Sequence, residues 1–435
     1  MVFLFLYLCP FTMRVFKFGG ASVKDAASVK NVASILKQYS GSKLLVVISA
    51  MGKTTNKLEE LVNAYYYGNS TETILGELRE FHLQIMDGLF ANRNHVVYNE
   101  LENVMVELQW GLDDAPSYPY NHHYDQIVSQ GEILSTKIVS AYLNHIGVKN
   151  KWLDARGIIQ TDNTYRDARV DYSLSEKLVN DEVLPRFSGE DILLTQGFIG
   201  GTSENFSTTL GREGSDYTAA LLAYFGNAQS VTIWKDVPGV LNADPRYFKN
   251  PKKIDELSYH DAIELTYFGA TVIHPKTIKP LQNKNIPLYV KSFLKPADEG
   301  TVVMQSDRKD PVTSYIFKDK QMLLSIMPKD FSFIVEDNFS QIFSLFAKYA
   351  VHVNLMQNSA ISFSVCVDDD VHKINPLIEE LQIQYKVLYN TGVGLMTIRN
   401  YTQDIISKFS EDKVILLEQR SRNTFQMVIK DATAS

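Results

Sequence analysis

RVFKFGGASVKDAASVKNVASIL, residues 14–36, is the stretch that decides the class of fold. A short apolar run carrying one lysine, Lys17, meets Gly19 and Gly20 and then an amphipathic helix, the grammar of an α/β protein. At the glycine pair the backbone can come close to a ligand and aim its N–H groups at an anion as a helix begins. Lys17 shares a strand face with Val15. The stretch therefore reads either as a polyphosphate site or as an edge-strand lysine before an ordinary turn.

The same grammar runs through the first 300 residues. Short apolar runs (VFKF, LLVVIS, KWLD, ILLTQG, VTIW and PLYVK) alternate with helical stretches: one ending near Lys37, one from about Thr54, a long region from Ser70 to His145, and DYTAALLAYFG. Strands that are apolar throughout, separated by amphipathic helices, predict a mainly parallel sheet covered on both faces. Ligands of such sheets bind at the carboxyl ends of the strands, so the loops there are where chemistry belongs.

The pattern breaks at SDRKDPVTS, residues 306–314, a polar stretch that reads as a linker. Beyond it is a weak repeat. MLLSIMP (322–328) resembles GLMTIRN (394–400), and VNLMQNSAISFSVCV (353–367) resembles ILLEQRSRNTFQMVI (415–429). Each copy reads as a strand, a helix and two strands joined by a polar turn, the second with a shorter helical part. This predicts an α/β domain over residues 1–303 and a pair of small α+β modules over 304–435.

Bulk properties narrow the function. A chain of 435 residues with 45% hydrophobic content predicts two or three globular domains. Its 43 Lys+Arg against 50 Asp+Glu leave a net charge of -7 with no basic block, which argues against nucleic-acid or membrane partners and for small molecules. Cys9 and Cys366 are too few for a disulfide framework and form no zinc pattern, so a cytoplasmic setting is expected. The apolar start MVFLFLYLCPFTM lacks a basic leader and a cleavage site, and is shorter than the about 20 residues that span a bilayer. Residues 1–12 are read as a loose or non-native tail, with Met13 the natural start.

Four pieces carry candidate chemistry. The first is Lys17 with Gly19 and Gly20. In the second, LLVVISAMGKTTNKLEEL, a buried strand ends at Ser49 and the hydroxyls of Thr54 and Thr55 either cap the next helix or bind a carboxylate. In the third, TTLGREGSDYTAALLAYFG, Arg212 offers a planar fork suited to a carboxylate, and Asp216 in the first helical turn is either a cap or a functional acid. The fourth, VTIWKDVPGVLNADPR, runs a strand into a loop rich in turn formers. No Walker A, protein-kinase or GxGxxG motif is present.

Together these pieces resemble the amino acid kinase family and, within it, the aspartate kinases. The resemblance is carried in order by KFGGAS (17–22), VISAMGKTTN (47–56), SQGEILS (129–135), TQGFIGG (195–201), LGREGSDYTAALLA (210–223), WKDVPGVLNADPR (234–246) and ELTYFGATVIHPKTIKPL (264–281). It implies a three-layer αβα sandwich followed by tandem ACT modules. It also implies transfer of phosphate from ATP, with Mg²⁺ and no metal-ligand set of the protein's own, to the β-carboxylate of L-aspartate, the first step of lysine, threonine and methionine synthesis.

Residue by residue, the resemblance implies that Lys17 and Asp216 serve catalysis, with Gly19 and Gly20 on the ATP phosphates. Ser49, Thr55, Glu132, Phe198 and Arg212 would hold aspartate, Arg212 on the α-carboxylate and Glu132 on the ammonium. Asp236, Arg246 and Lys276 would serve the nucleotide, and His274 would order its loop. The chain departs from the family at Ala21, Leu241, Lys235 and Thr271; a lysine common at the last position is missing, and Lys276 or Lys235 could replace its charge. An amino-acid effector, threonine or lysine, is expected near Asn354, Gln357, Asn358 and Ser359. These side chains are neutral and favour threonine, although Glu336 or a partner chain could supply a charge for lysine. A homodimer or higher homo-oligomer is expected. The competing readings are a kinase of glutamate or acetylglutamate and a sensor that has lost turnover.

Overall fold

The computed structural model describes residues 12–270, 273–306, 312–330 and 332–431. The apolar start up to Phe11, most of the expected linker and Thr271 lie outside the described residues. The chain divides into two compact units. One comprises Met1–Val240, Lys253–Ile263 and Val272–Asp307; the other comprises Leu241–Lys252, Glu264–Thr271 and Arg308–Ser435.

The first unit carries β1 (Met13–Phe18), β2 (Lys43–Ile48), β3 (Lys151–Trp152), β4 (Ile192–Gln196), the short hairpin β5 (Ile199–Gly201) and β6 (Ser207–Thr209), β7 (Ser230–Lys235), β8 (Glu256–Ser258), β9 (Leu288–Ser292) and β10 (Thr301–Met304). Eight of these form one sheet in the order β3-β4-β2-β1-β7-β9-β10-β8, parallel except for the β9–β10 pair. Its central strands are buried along their length, as in Leu44 to Ile48, because helices cover both faces. Helices α1 (Ala26–Lys37), α2 (Thr54–Tyr66), α3 (Glu72–Leu89), α4 (Val97–Asp113), α5 (Tyr120–His145), α6 (Tyr172–Leu178), α7 (Gly214–Phe225), α8 (Tyr259–Tyr267) and α9 (Pro275–Asn283) follow the strands. Asp25 caps α1 by accepting from the Ser28 N–H at 2.7 Å, and Val29, Val32, Ala33 and Leu36 bury its helical stripe.

The long helical region resolves into α3, α4 and α5. Gly131 of α5 lies against α2, where a Cβ would come within 2.8 Å of Leu58. That close approach sets the face of α5 bearing Glu132 beside the end of β2. The hairpin and the strands β8 and β10 have three or four residues each and gave no periodic signal.

The second unit is built on β11 (Ser314–Pro328), α10 (Glu336–Lys348), β12 (Val353–Asn358), β13 (Phe363–Asp368), α11 (Val371–Gln384), β14 (Tyr385–Arg399), α12 (Gln403–Ser410), β15 (Lys413–Arg420) and β16 (Thr424–Asp431). They form one antiparallel sheet in the order β12-β13-β11-β14-β16-β15. The repeat is visible in this order: residues 322–326 pair with β13 and residues 394–399 with β16, on opposite sides of the β11–β14 seam. The second copy has the shorter helix, 8 residues in α12 against 13 in α10. Between the copies lies α11, which the repeat did not reveal; its Ile374, Leu377 and Leu381 join Leu324, Ile326 and Phe346 in one core.

Candidate active site

Strand β1 pairs with β2 on one side and β7 on the other, so Lys17 stands in the middle of the sheet and is 8% exposed. The edge-strand reading is thereby excluded. A cavity of about 480 Å³ opens at the carboxyl ends of these strands, with Lys17 and Gly20 at its floor. Gly20 is held against the loop after β2, where a Cβ would meet the carbonyl oxygens of Gly52 and Ala50 at 2.8 and 2.9 Å. Only glycine lets the two loops close there.

Helix α7 points its first turn into the same cavity. Glu213 occupies its N-cap position with φ 54, so Asp216 lies inside the helix and does not cap it. Its carboxylate instead holds two ammonium groups: Lys17 Nζ lies 2.6 Å from Oδ1 and Lys235 Nζ 3.3 Å from Oδ2. Burial pushes Asp216 up, but the charges of Lys17 and Lys235 outweigh it and hold the carboxyl below the usual range. The first turn of a 12-residue helix adds N–H groups that favour an anion.

Opposite, Glu132 projects from α5 and is 3% exposed. Burial pushes its carboxyl up to about 8, against the pull of Lys17 and a hydrogen bond from the Ala50 N–H. Its Oε2 has no hydrogen-bond partner among the described residues, a feature that asks for a cation or donor. Ser49 and Thr55 line the cavity beside it. The hydroxyl of Thr54 is taken by the Met51 carbonyl at 2.6 Å, so of the two threonines Thr55 is the one that faces the cavity.

Phe198 closes one wall with φ 72, a conformation rare for a bulky side chain. It is pinned there because its N–H donates to Thr218 Oγ1 at 3.0 Å and its carbonyl accepts from the Leu210 N–H at 2.8 Å. Arg212 sits in the turn before α7, where Gly211 has φ 76 and presses against Asp167. Its guanidinium lines the cavity and makes no ion pair or hydrogen bond among the described residues.

The cavity thus brings together Lys17, Gly20, Ser49, Thr55, Glu132, Phe198, Arg212 and Asp216. Gly19 adjoins it, a Cβ there lying 3.4 Å from Lys17 Nζ. The nucleotide-side candidates are placed elsewhere. Asp236 follows β7 and is exposed. Arg246 belongs to the second unit and pairs with Asp244 at 2.6 Å. Lys276, in the first turn of α9, pairs with Asp167 and lines another cavity of about 610 Å³. His274 caps α9, its Nδ1 accepting from the Lys276 N–H at 3.2 Å.

Two further charged side chains line the site and were not singled out in the sequence, Glu213 and Arg166; a third, Lys235, was named there as a group that could replace the charge missing at Thr271. Arg166 lies over the ring of Tyr124 at 4.2 Å. Its only sequence signal is a polar loop, which is no signal of function. Lys235 stands two residues beyond Ile233, the residue opposite Lys17 in the ladder, and so shares the face of Lys17.

In the second unit, Asn354 lines a cavity of about 540 Å³ together with Phe343, Phe346 and His352. Its amide donates to Gln321 Oε1 and Asp368 Oδ1 at 2.8 Å each, and its oxygen accepts from Lys318 at 2.8 Å. Gln357 and Asn358 are exposed on β12, and the Ser359 hydroxyl lies 2.7 Å from that of Ser362 in the following turn.

A model of the amino acid kinase family matches residues 12–292. The chain is 31% identical over 396 residues to lysine-sensitive aspartokinase 3 of Escherichia coli (strain K12), covering 88% of this chain and 86% of that one. It is 33% identical over 390 residues to the chloroplastic aspartokinase 3 of Arabidopsis thaliana, covering 85% and 68%. Among solved structures, E. coli aspartokinase III in complex with lysine and aspartate superposes with a TM-score of 0.83 at 28% identity, covering 97% of this chain and 96% of that one. The same enzyme with aspartate and ADP gives 0.80 at 28% identity, covering 96% of each.

Proposed function

The chain belongs to the amino acid kinase family and is an aspartate kinase, and from that premise we propose that the cavity floored by Lys17 is where phosphate passes from ATP to the β-carboxylate of L-aspartate. One observation carries the assignment of roles. A buried ion pair, Lys17 with Asp216, faces an unsatisfied buried carboxyl, Glu132, and an unpaired guanidinium, Arg212, around one cavity. An amino acid with a free ammonium and two carboxylates satisfies both open groups and leaves its second carboxylate for Lys17. Acetylglutamate, whose amine is blocked, would leave Glu132 unsatisfied.

The acceptor carboxylate has an ordinary pKa of about 4 and is ionised at neutral pH, so the reaction needs no general base. No histidine is among the described residues that line the cavity. What the chain must do is bring two anions together and stabilise charge on a loose phosphoryl-transfer transition state. Lys17 meets that charge from the floor, the N–H groups of the α7 first turn from the side, and Gly19 and Gly20 let the phosphates approach the backbone. The nucleotide enters as its magnesium chelate, a substrate. Asp216 orients Lys17, and Phe198 with Ser49 and Thr55 fixes aspartate for in-line attack. Asp236 and Lys276 serve the outer part of the nucleotide site in this reading, and Arg246 is assigned the same role from the family resemblance.

Aspartate-dependent ADP release, with glutamate and acetylglutamate as controls, tests the assignment; turnover of acetylglutamate in preference to aspartate would overturn it. Arg212→Ala should raise the aspartate KM by about 100-fold and leave kcat within about threefold, because a clamp made in the ground state is uniform binding. An unchanged KM would remove Arg212 from the substrate site.

Regulation belongs to the second unit in this reading, with an amino-acid effector near Asn354, Gln357, Asn358 and Ser359. The absence of a charged side chain among these four supports threonine, whereas the E. coli relative is named lysine-sensitive. Calorimetric titration should show threonine binding; lysine binding with no response to threonine would overturn the preference. Self-association through this unit is supported by its edge strands, where Met356 of β12 and Val414 of β15 are 53% and 47% exposed. No helix among the described residues is long and apolar enough to cross a membrane, and the setting proposed is the cytoplasm.

A further inference from the structure

Arg166 lines the cavity, yet the reaction as described above leaves it without a task. Its backbone has φ 70, a left-handed conformation that suits glycine and strains an arginine. What holds it there is Asp125 of α5, fully buried, whose two oxygens accept the Arg166 N–H at 3.2 and 3.0 Å. The same carboxylate takes the Thr209 N–H at 2.8 Å and the Thr209 hydroxyl at 2.7 Å. The loop is tied further to the turn that carries Arg212. The Ala168 N–H donates to the Thr209 carbonyl at 2.9 Å, and a Cβ on Gly211 would lie 3.3 Å from the Arg166 carbonyl oxygen. Arg166 and Arg212 are therefore presented to the cavity by two loops joined to each other.

We propose that Arg166 is a substrate-specificity residue of this kinase, the second arginine of a two-arginine grip on the α-carboxylate of aspartate, turning onto the ligand once it is seated. Three observations carry this. The first is place. Its guanidinium lies over Tyr124 at 4.2 Å and pairs with Glu59 at 3.4 Å. Tyr124 stands two turns before Glu132 on α5, and Glu59 one turn after Thr55 on α2. Arg166 thus bridges the two helices that carry groups assigned to aspartate, and it does so at the wall that Tyr124 and Glu132 share.

The second observation is the weakness of its present hold. The Arg166 and Glu59 side chains are 42% and 43% exposed, and a pair so open to water is screened and contributes little. A guanidinium lying flat on a ring also keeps its N–H edge free to turn toward a carboxylate. Exchanging Glu59 for a ligand therefore costs little. The third is complementarity. A carboxylate offers about four lone-pair directions, more than the single planar fork of Arg212 fills. A buried acid committed to holding an arginine in a glycine conformation beside that fork is accounted for if the second guanidinium takes the remaining directions.

The inference rests on the reading of this cavity as the aspartate site, and its test separates the two. Aspartate and its α-amide, in which a neutral amide replaces the α-carboxylate, are titrated calorimetrically into the full-length protein and its Arg166→Gly, Arg166→Lys and Glu59→Gln variants. Arg166→Gly suits the backbone and removes the guanidinium. It should melt at or above the wild-type temperature, weaken aspartate by about tenfold or more, and leave the α-amide and the magnesium complex of AMP-PNP within about threefold. Arg166→Lys should recover only part of the aspartate affinity, since a point charge replaces a fork. Glu59→Gln frees the arginine and should bind aspartate at least as tightly as wild type. Two results overturn the proposal: unchanged aspartate affinity in Arg166→Gly, or an equal loss of aspartate and α-amide, which would mean that the arginine only shapes the wall. Arg166→Gln, which keeps a long polar side chain, carries the same comparison if the glycine variant does not fold. Wild-type protein that fails to prefer aspartate to its α-amide would instead remove the α-carboxylate assignment altogether, that of Arg212 included.

Discussion

Lys17→Met should lower kcat by about 10³-fold or more while the protein melts close to the wild-type temperature. The first half follows from where the charge develops. Lys17 is buried in the central strand, and its ammonium lines the cavity at the carboxyl ends of the sheet. A donor placed there ahead of the reaction is worth far more than the same group in water, and removing one such group commonly costs 10²- to 10³-fold. The loss should fall on turnover more than on aspartate KM, since Arg212 and Glu132 remain.

The second half depends on Asp216. Removing one partner of a buried pair usually leaves an uncompensated charge that destabilises the fold by several kcal/mol. Here Lys235 remains 3.3 Å from the other oxygen, so the carboxylate keeps a cation. The unbranched methionine also fills the volume of the lysine stem. A Lys17→Met protein within tenfold of wild-type kcat would end the catalytic assignment. One that unfolds would show that Lys235 does not compensate, and Lys17→Arg then supplies the kinetic test.

Much of this arrangement could be read from the chain, and what could not has physical causes. The strand, glycine pair and helix at 14–36 identified the fold because period and turn chemistry agree over a long window. The repeat in the last third survived as symmetry about the β11–β14 seam, since each copy must present the same apolar face to its helix. The middle position of β1 was not legible: a lysine in a short strand looks the same at an edge or at the centre until its neighbours are known. Glu132 could be named only through the family resemblance, because nothing local distinguishes an acid on a long helix from a solvated one. Its burial comes from the approach of α2 over Gly131, a tertiary event. The convergence of Lys235 on Asp216 was open to inference from alternation, but it required knowing that β7 lies beside β1 in that register.

Glu132 gives the last large effect, and it should appear in the pH dependence. Burial holds its carboxyl at about 8 against an ordinary value of 4.5, so in the free protein at neutral pH it is mostly protonated. An aspartate ammonium delivered beside it favours the ionised form, so binding should release about one proton near pH 7. Aspartate affinity should then rise about tenfold per unit from pH 6 to near pH 8 and level off above, until the substrate's own amine begins to deprotonate. Glu132→Gln removes both the charge and the proton. Its aspartate KM should rise by about 100-fold and lose this slope, because a buried ammonium facing an amide lacks its counter-charge. Stability should move the other way. A carboxyl whose folded value is raised above its unfolded one binds more protons in the folded state, so wild-type stability from this group falls as pH rises between 4.5 and about 8. Without ligand, the Glu132→Gln protein should therefore gain in melting temperature relative to wild type across that interval and keep the gain above it. Calorimetry of aspartate binding in two buffers of different ionisation enthalpy, with melting curves from pH 5 to 9, reads both effects. No proton release at pH 7, together with parallel melting curves, would mean that Glu132 is ionised before substrate arrives and that another cation of the site already holds it.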